Sequence, residues 1–171
     1  MFNKNIKLGV VGLITAWAIY EFIQVHIWSG IMILLLAGIV LFFYFKNEVL
    51  LLSFLRMRKQ DMAGASKWLD KIKSPETALI TKQQGYYNFL RGIMVSQTNL
   101  TQAEKFFKKA LKLGLSMSHD VGMAKLQLAG IAMTKRRKRE ATMLLADVKK
   151  LDKHGMFKDQ IAQLKQQMKR I

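Results

Sequence analysis

The sequence predicts an all-α protein: two transmembrane helices followed by a small helical-repeat domain that ends in a capping helix. Three observations carry this. Two stretches near the N-terminus, residues 8–28 and 31–45, are almost free of charge. After residue 46 the apolar residues recur at helical rather than alternating spacing, and Pro75 is the only proline. A triplet of small, large and apolar residues also returns at a step of 38 residues: Ala65, Leu69 and Ile72, then Ala103, Phe107 and Ala110, then Ala141, Leu145 and Val148.

Within 171 residues, the division falls at residue 45: a two-helix hairpin over 1–45 and a helical domain over 46–171. The net charge of +17 is unevenly spread, because residues 1–45 hold only Lys4, Lys7 and Glu21 and leave +16 on residues 46–171. A domain that basic points to polyanions, anionic lipid or acidic protein surfaces as neighbours. There is no cysteine, so disulfides and thiolate metal sites are excluded.

The first apolar stretch follows Lys4 and Lys7 and contains Ala16-Trp17-Ala18, the outline of a signal peptide with a small-x-small cleavage site. A second apolar stretch begins after a short loop, which favours a retained transmembrane helix and a hairpin of two spans. Basic residues precede the first span and follow the second, while residues 25–30 between them have no Lys or Arg. The positive-inside rule then puts the chain in the inner membrane with both termini cytoplasmic. Gly9, Gly12 and Ala16 form a small-residue strip suited to close helix packing. Glu21 and Gln24, three residues apart, are either wet interfacial groups or a face for a partner helix.

Residues 31–45 carry no charged or amide side chain and no proline or glycine follows over 46–59, so one helix is expected to run from lipid into the first repeat. In the middle repeat, residues 85–97 form a first helix and residues 98–100 a turn. Thr101 and Glu104 make a capping box for a second helix, which Gly114 stops. Tyr87, Leu90, Ala103, Phe107 and Ala110 fall where the tetratricopeptide family has its aromatic, Leu and small-residue positions, and the domain resembles that family. In the outer repeats Arg56 and Lys125 stand where the family has aromatics, and the 38-residue step exceeds the family's unit by four. After Gly155, the residues Phe157, Ile161, Leu164, Met168 and Ile171 make one apolar stripe, the mark of a helix that caps a stack.

Little in the chain suggests catalysis. His26, His119 and His154 are far apart, no glycine-rich phosphate loop or nucleophile elbow is present, and the acids are scattered singles among lysines. No metal or other cofactor and no small-molecule substrate is implied. The strongest functional signal is the run Lys135-Arg136-Arg137-Lys138-Arg139, placed in the turn of the third helix pair, with Arg56, Arg58 and Lys59 in the equivalent turn of the first. Eight cations would then line one rim, about 20 Å from the bilayer at 1.5 Å per residue and beyond a Debye length of about 8 Å. The opposite edge, with Lys71, Lys73, Lys112, Lys149, Lys150 and Lys153, would sit on lipid headgroups.

By resemblance, a peptide groove would be lined by Leu50, Phe54, Asn88, Gly92, Leu126, Gly130 and Met133. Three functions stay open on this reading. The first is a non-catalytic scaffold that recruits or stabilises a complex at the cytoplasmic membrane face, with a ribosome or translocation machinery as the client the basic rim fits. The second is an RNA or ribosome binder acting through the rim. The third is a structural subunit that packs through its hairpin.

Overall fold

The computed structural model describes residues 4–45 and 48–169, with side chains at residue 6 and over 8–42 and 48–169. All regular structure among the described residues is helical, and contacts divide the chain into two compact units, residues 1–83 and 84–171. The boundary anticipated at residue 45 falls inside the first unit.

The first unit opens with α1 (Lys4–Ile23) and α2 (Ile27–Phe45), which pack together as a hairpin. Its turn is closed by Val25 N–H donating to the Phe22 carbonyl (3.1 Å) and His26 N–H donating to the Glu21 carbonyl (3.0 Å), with Val25 at φ +64°. The helices meet on Ala18, Gly30 and Ala37, which are buried. A Cβ on Gly30 would stand 2.9 Å from the Phe22 ring, so the close approach there needs a glycine. Gly9, Gly12 and Ala16 are exposed, and a Cβ on Gly9 or Gly12 would meet nothing within 4 Å. The small-residue strip is therefore not the seam of the hairpin.

Among the described residues no helix is long and apolar enough to cross a membrane, which overturns the transmembrane hairpin, the inner-membrane location and the orientation inferred from it. In α1, Lys7 and Glu21 bound an uncharged run of residues 8–20, about 20 Å of helix. A hydrocarbon core is about 30 Å thick. With no such span as a reference, neither edge of the helical domain is assigned to lipid. Continuity of one helix over 31–59 depends on Lys46 and Asn47, which lie outside the described residues.

The unit continues with α3 (Glu48–Arg58), α4 (Met62–Asp70), the single turn α5 (Pro75–Ala78) and the first residues of α6 (Thr81–Val95). Asp61 caps α4 by accepting from Gly64 N–H (2.7 Å), and Arg56 Nη1 donates to the same carboxylate (2.9 Å). These two donors, the amide first, hold the Asp61 carboxyl below its ordinary range. α6 starts at Thr81 rather than Gly85, with Gln83 Oε1 accepting from Ile80 N–H (3.3 Å).

The second unit holds the rest of α6 with α7 (Leu100–Leu113), α8 (Ser118–Thr134), α9 (Lys138–Leu151) and α10 (Lys158–Met168). Phe89 and Phe107 cross edge to face at 6.1 Å between α6 and α7, and a Cβ on Gly92 would stand 2.8 Å from the Phe107 ring. A second core joins Leu126, Ala129 and Met133 of α8 to Leu145 and Val148 of α9, and Phe157, Ile161 and Met168 close it. Ile171 lies outside the described residues.

The 38-residue step survives in three dimensions. The second helices start at Met62, Leu100 and Lys138, and their N-caps are Asp61, Asn99 and Arg137. All nine residues of the three triplets are buried, none more than 3% exposed. The middle cap differs from the expected Thr101–Glu104 box: Asn99 accepts from Gln102 N–H (2.9 Å), which frees Glu104 for another role.

Candidate polyanion interface

The basic run occupies the turn between α8 and α9. Arg137 N–H donates to the Ala132 carbonyl (2.7 Å) and Arg136 N–H to the Met133 carbonyl (2.8 Å), the paired bonds of a Schellman ending. That ending places Arg136 in the left-handed region at φ +56°, where glycine is the usual residue. The turn after α3 is built identically, with Asp61 N–H donating to Arg56 (3.0 Å), Gln60 N–H to Met57 (2.9 Å) and Gln60 at φ +61°.

Within this turn the five cations divide into two sets. Lys135 and Arg137 face inward onto Glu104 of α7. Arg137 Nη1 and Nη2 donate to Glu104 Oε1 and Oε2 at 2.9 and 2.8 Å, a bidentate pair. Lys135 Nζ adds a bond to Oε2 (2.8 Å) and one to Thr101 Oγ1 (3.0 Å), and Lys108 Nζ donates to Oε1 (2.7 Å). Glu140 completes the group by accepting from Arg137 Nη1 (2.9 Å).

Electrostatics follow from this geometry. The Arg137 guanidinium, opposed by burial but helped by Lys108 and Lys135, holds the Glu104 carboxyl far below the usual carboxylate range. Glu104 in turn, with Glu140, holds Lys108 and Arg137 above their ordinary values. Arg136, Lys138 and Arg139 form the outer set: all three side chains are exposed, and none has an ion-pair partner among the described residues.

Acids elsewhere in this unit are also engaged. Asp147 is bridged by Lys125, which lowers its carboxyl; Asp152 accepts from the N–H groups of Met156 and Phe157 at 2.7 and 2.8 Å. Asp120 accepts from Tyr86 Oη (2.8 Å), and burial together with that bond raises the Tyr86 hydroxyl.

Other residues singled out in the sequence have different settings. Arg56, Arg58 and Lys59 are exposed at the end of α3, in the first unit, where Arg56 is paired with Asp61. Of the expected groove, Leu50, Asn88, Gly92, Leu126 and Met133 are buried, spent on the cores or, for Asn88, on the Gln84 carbonyl (2.7 Å). Phe54 and Gly130 are half-buried. Glu21 lies 3.3 Å from His26 Nδ1, and Gln24 Nε2 donates to Tyr20 Oη (3.2 Å), so each is engaged within the hairpin.

Among the described residues no three His, Asp or Glu side chains come together as a metal site, and the niche between Met133, Arg136, Lys138 and Met168, about 10 Å³, holds at most one water. Glu104 is the residue that sequence reasoning misplaced. Its signal was present: a lone acid four residues before Lys108, beside Ala103 and Phe107 on the flank of the apolar face, is placed to meet the next helix pair.

No family model, curated protein or solved structure matches this chain. No match supports the tetratricopeptide resemblance, and the membrane hairpin joined to it is the part the structure overturns; the helix pairs themselves repeat at 38 residues.

Proposed function

We propose that this chain is a non-catalytic adaptor that docks a polyanionic surface through the second unit and so holds a partner complex in place. The observation that supports this most directly is the sorting of charge. Residues 84–171 contain 18 Lys and Arg against 6 Asp and Glu, and every one of those acids except Asp159 is engaged in a structural bond. Because the acids are taken up in these bonds, Arg136, Lys138 and Arg139 of the α8–α9 turn are left to set the outward field there. The same engagement leaves Glu104, Glu140 and Asp120 poorly suited to general acid–base work, since each is held by fixed partners.

Retention on immobilised heparin, measured over a salt gradient, tests this reading. The wild-type chain should elute late, and the triple variant Arg136→Gln, Lys138→Gln, Arg139→Gln should elute at markedly lower salt with an unchanged helical spectrum. Elution of both proteins at the same salt would overturn it.

A further inference from the structure

Resting on that reading, we infer that the polyanion taken by the α8–α9 turn is a double-helical nucleic acid, held by its phosphates without base reading. The starting point is the division of the basic run. Lys135 and Arg137 are fixed on Glu104 and Thr101 at 2.8–3.0 Å, so they anchor the turn, while Arg136, Lys138 and Arg139 stand outside it. Arg136 keeps a backbone conformation that disfavours any L side chain. A glycine there would satisfy the same Schellman bonds with less strain, so folding does not require an arginine at this position.

Two features favour a phosphodiester duplex over an acidic protein. The exposed positions of the turn and the first turn of α9 are Thr134, Arg136, Lys138 and Arg139; the neighbouring Met133 and Met168 are buried, and the nearest exposed apolar side chain on α9 is Met143, one turn further on. A protein-binding patch is expected to centre on an aromatic or aliphatic anchor that becomes desolvated. A patch of cations and hydroxyls fits the more polar and more positive character of nucleic-acid interfaces. The absence of an exposed ring at these positions also argues against a single strand, which would stack its bases on aromatics.

The second feature is shape. Lys135 touches Thr101, which brings the turn to the start of α7, and from there exposed Lys105 and Lys112 continue along one face of that helix, about 10 Å apart. A line of cations running away from a cationic turn suits a rod of regularly spaced phosphates.

The test is anisotropy of the full-length chain with a fluorescent 20-base-pair RNA duplex, the DNA duplex of the same sequence, one strand alone, and poly-glutamate. Both duplexes should bind alike and more tightly than the strand or the poly-glutamate. The slope of log affinity against log salt should flatten by about 3 when Arg136, Lys138 and Arg139 are replaced by Gln. Arg136→Gly should weaken duplex binding several-fold while raising the unfolding midpoint, an outcome that a merely structural arginine would not give. Binding of poly-glutamate but not of duplex, or preference for the single strand, overturns this inference and leaves the docking reading standing. Binding of none of the four overturns both.

Discussion

The α1–α2 hairpin and the α6–α10 unit are both helical, yet they keep their apolar residues on opposite sides. In the hairpin the buried residues are Ala18, Gly30 and Ala37, while Leu13, Trp17, Trp28, Leu35 and Ile39 are among the many large side chains left exposed. In the second unit Phe89, Leu90, Phe107 and Leu145 are all within 2% of full burial, and the exposed positions are mostly Lys, Gln and Thr. The hairpin is assembled by close backbone approach, with little side-chain burial of its own. Its apolar exterior is an unmet demand for cover, far beyond the scattered exposed residues that ordinary surfaces tolerate. The second unit meets its demand internally, which leaves its surface available for charge.

The sharpest contrast is expected from one truncation in each region. Phe107→Ala removes a ring held against Phe89 and should destabilise the second unit by about 3–5 kcal/mol. Leu35, 58% exposed, should cost less than about 0.5 kcal/mol when replaced by Gln. Leu35→Gln should instead reduce self-association in detergent-free buffer, read by sedimentation velocity. If Leu35→Gln destabilised the chain as much as Phe107→Ala, the hairpin would have a core that its exposed side chains do not reveal.

Next in size is the Glu104 hub, which has no counterpart among the described residues of the hairpin. The Glu104 side chain is only 12% exposed, whereas Arg137 and Lys108 are more open to water and their attraction is screened accordingly. Glu104→Gln should therefore cost about 2 kcal/mol at neutral pH, less than for a fully buried charge pair. The sign of the pH dependence follows from a carboxyl held below its ordinary value of 4.5. Its stabilisation is fully present above that pH and is lost as pH falls toward the lower folded value. Chemical denaturation from pH 7 downward should show the wild type losing stability below about pH 4.5 and the gap to Glu104→Gln narrowing. A gap that stays constant to low pH would mean that the salt bridges are not the source.

Helical periodicity and the 38-residue step made the helix pairs and their buried triplets legible, because small residues at 65, 103 and 141 and the apolar positions after them report directly on which face is covered. The caps were harder. Thr101 and Glu104 satisfy the spacing of a capping box, but Asn99 reaches the free N–H groups two residues earlier, and Glu104 is claimed by cations 31 and 33 residues further on. Pairing over that distance leaves no local pattern. The same limit applies to the basic run: a run of five cations looks uniform in sequence, and only the fold divides it into an inner pair and an outer triplet. The hairpin erred in the other direction, since an apolar stretch announces helix and burial but does not fix what covers it.

The smallest expected effect compares the turns themselves. The hairpin and two of the helix pairs end in the same Schellman geometry, with Val25, Gln60 and Arg136 at φ +64°, +61° and +56°. An L side chain in this region costs about 1 kcal/mol or somewhat more relative to glycine, partly offset by the greater chain entropy that glycine loses on folding. Gln60 is exposed, and its backbone bonds to Met57 would be kept by glycine. Gln60→Gly should thus stabilise the α3–α4 turn by about 0.5–1 kcal/mol, visible as slower amide exchange at Asp61 and Gly64. Val25→Gly should show a similar local gain at His26, larger if the β-branched side chain is the more strained. Exchange that quickens at Gln60→Gly would show that glutamine holds the turn by a contact outside the backbone, and the equivalence of the three turns would then be one of shape but not of energy.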